Sequence, residues 1–149
     1  MMKKSGLSLL LMANFVFPVN ANVAAAQTNG ENLMTIKMTI DRQSYTVELA
    51  DNSAAKALIK QLPLTLTMEE LNGNEKFADL MHPLPTSPTT PGIIHKGDVM
   101  LYGRETLVLF YATFHTTYRY TPIGRVVAAD LLPEAVGHGG ITVNFSKMK

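Results

Sequence analysis

From Thr35 onward, apolar and polar residues alternate with a period of two. Ile36, Met38 and Ile40 are separated by Lys37 and Thr39, and beyond Asp41-Arg42-Gln43 the residues Tyr45, Val47 and Leu49 are separated by Thr46 and Glu48. Such alternation puts one face of a strand in a core and the other in water, so two runs around a short polar link predict a hairpin. The period then lengthens. In "DNSAAKALIKQL" the residues Ala55, Leu58, Ile59 and Leu62 fall on one helical stripe, with Asp51, Asn52 or Ser53 available to cap the first free amides. Pro63 stops the helix, because the residue before a proline avoids helical backbone. Leu64, Leu66 and Met68 resume the alternation, and Asn72-Gly73-Asn74 supplies turn chemistry.

Residues His82 to Gly92 contain four prolines, which predicts a rigid surface loop within the domain. Lys96-Gly97-Asp98 reads as a turn, with Asp98 and Glu105 as solvated acids at strand ends. "VMLYG" and "LVLFY" follow around Gly103-Arg104-Glu105-Thr106. The unbroken apolar run Leu107–Tyr111 predicts a strand buried on both faces. "TTYRYT" then alternates hydroxyls and rings up to Pro122. As a continuous strand it would place His115, Thr117, Arg119 and Thr121 on a polar face, and Thr116, Tyr118 and Tyr120 on a half-buried one. Ile141, Val143 and Phe145 mark a last strand. Many strands, one clear helix and no alternating strand–helix pattern predict a mostly β fold, an antiparallel barrel.

The N-terminus has a different pattern. Lys3 and Lys4 precede an apolar run, Leu7 to Val19, of about thirteen residues, too short to span a bilayer. Small residues follow. Residues 1–26 therefore read as a secretory signal peptide, cleaved after Ala21 or Ala26, with 27–34 a flexible lead-in and 35–149 the barrel domain. The expected location is periplasmic or secreted. Processing would remove two lysines and no acid, moving the formal charge from +1 to −1. A nearly neutral chain without a basic run argues against a nucleic-acid partner, and no second stretch is long enough to cross a membrane. With no cysteine anywhere, thiol catalysis, cysteine-ligated zinc and disulfides are all excluded, so packing alone must hold the fold.

The segments "DNSAAKALIKQLPLTLTM", "NGNEKF" and "GDVMLYGRETLVLFYATFHTTYRYTPIGRV" carry a resemblance. Over Thr35 to Lys147 the chain resembles the bacterial cyclophilin-like fold proteins, which implies an eight-stranded, largely antiparallel closed barrel with helical cover. The resemblance brings no settled activity. True cyclophilins have an arginine in a Phe-His-Arg stretch and a Gln-Gly-Gly stretch downstream. Here Thr116 follows Phe114-His115, His138 precedes Gly139-Gly140, and tryptophan is absent. No catalytic residue therefore carries over, and fold alone does not license function. Peptidyl-prolyl isomerisation, which must lower an amide barrier of about 18–20 kcal/mol, stays the alternative activity.

Chemical motifs are sparse. His82, His95, His115 and His138 form no short ligand pair, and no metal or other cofactor is expected. The serines lack a nucleophile-elbow pattern, and "GHGG" has neither the lysine nor the following helix of a phosphate loop. What stands out is the density of rings, hydroxyls and cations after Phe114. His115, Thr117, Tyr118, Arg119, Tyr120 and Arg125 are the candidate ligand-binding residues, with Gly124 letting the backbone bring Arg125 to a pocket rim. The expected function is binding of a small molecule or peptide in a barrel-side pocket.

Overall fold

The computed structural model describes residues 33–149. The signal-peptide reading, both cleavage sites and most of the lead-in lie outside the described residues. Thr35–Ile40 (β1) and Gln43–Leu49 (β2) form the expected hairpin, in register Ile40 to Gln43, so the turn narrows to Asp41-Arg42. Helix α1 spans Ser53–Lys60. Of the three possible caps Asn52 serves: its Oδ1 accepts from the Ala55 amide at 2.9 Å, while its Nδ2 donates to the Pro122 carbonyl at 2.8 Å. Gln61 ends the helix, and the Leu62–Pro63 peptide is cis.

Further strands are Leu64–Leu71 (β3), Glu75–Asp79 (β4), Ile93–Ile94 (β5), Asp98–Tyr102 (β6), Thr106–Phe110 (β7), Phe114–His115 (β8), Thr121–Val126 (β9) and Ile141–Lys147 (β10). A short helix, Leu132–Val136 (α2), follows a single 3-10 turn. Eight strands close a barrel in the order β1-β10-β3-β4-β7-β6-β9-β2, every pair antiparallel, while β5 and β8 form a separate two-stranded ribbon. The predicted fold class is the observed one, with α2 added to the single expected helix. Closure removes the exposed sheet edges that an open sheet would have to protect.

Ile36, Met38, Ile40, Val47, Leu66, Met68, Leu107, Leu109, Val143 and Phe145 fill the interior from alternate positions of their strands. Ala54, Ala55 and Leu58 of α1 cover the end where β3 starts, and Leu132 and Val136 of α2 cover the opposite end. One glycine is sterically required within a strand. A Cβ on Gly124 would stand 2.4 Å from the Glu48 carbonyl oxygen, because β9 and β2 approach closely there. The close approach expected of Gly124 is thus made to a neighbouring strand.

The stretch after Phe114 departs from expectation. It is not one continuous strand: β8 stops at His115, residues 116–119 are irregular, and Tyr120 makes an isolated bridge to Thr89 before β9 starts. The proline-rich loop is the reason. Pro83, Pro85, Pro88 and Pro91 have no amide to donate to a ladder. The two segments are instead stitched at separate points: the Thr116 amide to the Gly92 carbonyl, Thr89 and Tyr120 reciprocally, the Ser87 amide to Thr121 Oγ1, and Arg119 Nη2 to the Pro88 carbonyl. The simple two-face assignment fails accordingly. Thr121 is buried rather than polar-facing, and Tyr118 is exposed while Tyr120 is buried.

Candidate functional site

The outer face of β4, β6 and β7 carries a second apolar cluster. Met100, Val108, Phe110, Ile94 and Tyr120 are buried there, with Phe77 and Phe114 packed against them. The β5–β8 ribbon and the stitched loop cover only part of it. The uncovered remainder is a groove made of two adjoining cavities that share Asn72, Glu75, Tyr118 and Tyr120. One, of about 470 Å³, adds Phe77, Asp79, Tyr102, Thr106 and Val108. The other, of about 570 Å³, adds Asn74, Phe114, His115, Thr116 and Thr117.

A chain of rings walls it. Tyr118 meets Tyr102 edge-on at 6.3 Å between centroids, Tyr102 lies 5.9 Å from Tyr120, Tyr120 meets Phe110 edge-on at 5.5 Å, and Phe114 lies 5.6 Å beyond. Tilted and edge contacts of this kind hold rings in fixed orientations. The polar groups come mainly from β4 and the turn before it. Strand alternation puts Glu75, Phe77 and Asp79 on the groove face, and Asn72-Gly73 reverse the chain in left-handed conformation, with φ of 56° and 69°.

Glu75 is only 9% exposed. Burial, reinforced by the nearby Glu70 carboxylate, pushes its carboxyl above the ordinary value, and nothing among the described residues donates to it. Burial also raises the Tyr120 hydroxyl, with Glu75 adding to the effect. Asp79 accepts from the Thr106 hydroxyl at 2.6 Å.

On the opposite face of β4 the charges are satisfied. Lys76 is fully buried, its Nζ 2.8 Å from Glu70 Oε2 and donating to the carbonyls of Gly137 at 2.9 Å and Gly139 at 2.6 Å. The same ammonium lies 5.1 Å from the centre of the Tyr111 ring, whose hydroxyl donates to Glu70 Oε1. Burial works to raise the Glu70 carboxyl, but the bonds from Lys76 and Tyr111 outweigh it and hold the group below its ordinary value. Tyr111 is pushed up to about 12, first by burial and then by that carboxylate. The trio plugs the barrel end that α2 and the Gly137–Gly139 segment cover.

Of the six residues proposed from sequence, Tyr118 and Tyr120 line both cavities, and His115 and Thr117 line the second. Arg119 lines neither and donates to Pro88. Arg125 is also elsewhere: its Nε is 3.2 Å from Asp98 Oδ1, and the side chain is largely solvent-exposed. Asp98, expected to be solvated, is buried, its Oδ2 accepting from the His95 amide at 2.8 Å. Sequence reasoning missed Glu75, Tyr102 and Asn72. The signal available was "NEKFAD", in which a carboxylate, a ring and a carboxylate alternate with Lys76 and Ala78. Among the described residues no cluster of histidine and carboxylate groups has metal-binding geometry, and no helix is long and apolar enough to cross a membrane.

The profile of the Cyclophilin-like family matches residues 38–146. The chain belongs to the cyclophilin-like family. The match begins inside β1 and ends inside β10, so it takes in part or all of every barrel strand together with the groove. Among solved structures, this cyclophilin-like chain is similar to the solution structure of the hypothetical protein AF2241 from Archaeoglobus fulgidus. The two share 17% identity with a TM-score of 0.50, over 77% of this chain and 95% of that one, a likeness of fold. No curated protein matches the chain.

Proposed function

We propose that this cyclophilin-like barrel is an exported binding domain that holds a small molecule or peptide in the groove beside β4, β6 and β7. One observation carries the reading. Tyr102, Tyr118 and Tyr120 stand around a cavity of about 470 Å³ that is apolar at its floor and carries a few convergent polar groups at its edge. That size and lining are what a small-ligand site requires. Export is supported by the charged, then apolar, then small-residue order of residues 1–26, and N-terminal sequencing of secreted material tests it. The prolyl-isomerase alternative finds less support, because no lysine or arginine lines either cavity to face a prolyl nitrogen.

Three of the chain's five tyrosines line the groove and tryptophan is absent, so tyrosine emission carries a groove signal. Native mass spectrometry of the purified domain, followed by titration of whatever copurifies, is expected to perturb that emission in the wild type and not in Tyr102→Ala. Retained binding in Tyr102→Ala and Tyr118→Ala would remove the groove from consideration.

A further inference from the structure

The groove has an electrostatic asymmetry that narrows its ligand class. The polar side chains around the first cavity are two carboxylates, Glu75 and Asp79, the Asn72 amide, the Thr106 hydroxyl and the tyrosine hydroxyls; no cation is among them. Glu75 is nine-tenths buried and accepts no hydrogen bond from the described residues. Its oxygens face the groove, where it lines both cavities; Glu70, one strand away, by contrast has both Lys76 and the Tyr111 hydroxyl. Lys76 cannot serve both. It projects from the opposite face of β4 and is consumed by Glu70 and two backbone carbonyls. Beside the Glu75 carboxyl stand the rings of Tyr102, Tyr118 and Tyr120, whose π faces are negative. A cation within about 6 Å of such a ring is attracted to it.

We infer that the groove selects an organic cation, an ammonium group carried on an apolar or aromatic body, with Glu75 as its counter-ion and Tyr102, Tyr118 and Tyr120 as its walls. The apolar body lies on Phe77 and Val108. The inference deepens the binding reading above and rests on it. An alkylammonium metabolite and a lysine side chain of a peptide present the same chemistry.

Three probes with a common phenylethyl body test the charge: 2-phenylethylammonium, neutral 2-phenylethanol and anionic 3-phenylpropionate, each titrated against the purified protein by tyrosine emission and by amide chemical shifts. A lysine-containing peptide and its Nε-acetylated form distinguish the two sources. The ammonium is expected to bind about tenfold more tightly than the alcohol, with the anion weakest. That preference is expected to disappear in Glu75→Gln and to shrink in Asp79→Asn, with Arg125→Ala unchanged; unaltered amide spectra away from the groove confirm that each variant is folded. Equal affinity for ammonium and alcohol, still abolished by Tyr102→Ala, overturns the charge selection and leaves the groove standing. Binding indifferent to Tyr102→Ala overturns the groove itself. No binding by any probe overturns the cation inference.

Discussion

On β7, Leu107 and Leu109 face the barrel interior while Val108 and Phe110 face outward, and all four are buried. The inner face meets side chains from the other strands and the helices, so closure alone completes its packing. The outer face is covered by Ile94 and Phe114 of the two-stranded β5–β8 ribbon and by Tyr120, which leave Tyr102 and Tyr118 exposed beside Phe77. β4 repeats the contrast with charges. Inward, Lys76 is matched by Glu70, Tyr111 and two carbonyls; outward, Glu75 is matched by nothing in the described chain. The difference teaches where stability and binding reside: a closed interior satisfies itself, whereas a half-covered exterior leaves groups for a ligand to satisfy.

Truncation should expose that contrast most strongly. Leu109→Ala removes interior volume and is expected to cost about 3–4 kcal/mol in urea unfolding, as buried leucine truncations do. Lys76→Ala leaves two carbonyls without their donor and Glu70 with Tyr111 alone, and is expected to cost about 3 kcal/mol, the scale of a broken buried pair. On the outer face Tyr102→Ala is expected to cost only about 1 kcal/mol, the worth of its ring contacts, while abolishing ligand-induced changes in tyrosine emission. Equal losses inside and outside would dissolve the comparison.

Smaller effects should separate the two carboxylates by pH. Glu70 is held below its ordinary value of 4.5, so its contribution is present above 4.5 and is lost as pH falls through the lower folded value. Glu75 is raised above 4.5, where the folded state holds the proton more tightly than the unfolded chain. Its effect has the opposite sign: stability is gained as pH falls toward 4.5 and is lost as pH rises through the raised value. Glu75→Gln should therefore flatten the stability profile just above 4.5 and Glu70→Gln the profile below it, read from urea midpoints across the acid range. Smallest of all, Arg125→Ala gives up a partly exposed ion pair, worth about 1 kcal/mol or less, and should leave groove binding untouched.

Local pattern determined much of this molecule. The alternation through Ile36, Met38 and Ile40 and through Ile141, Val143 and Phe145, the helical stripe of Ala55, Leu58 and Ile59, and the double burial of Leu107–Tyr111 are all one-dimensional signals of which face meets a core. So is the family resemblance, carried by long contiguous segments. One wall of the candidate site was legible in the same way, since Tyr118, Tyr120, His115 and Thr117 belong to one ring- and hydroxyl-rich stretch. Tertiary structure decided the rest. Whether Asp98 is solvated depends on Arg125, twenty-seven residues away in the chain. Whether Lys76 is a surface cation or a plug depends on the carbonyls of Gly137 and Gly139, across sixty-one and sixty-three residues. Pairings over such distances leave no periodicity behind them: alternation says that a side chain points in or out, and only barrel closure says what it finds there.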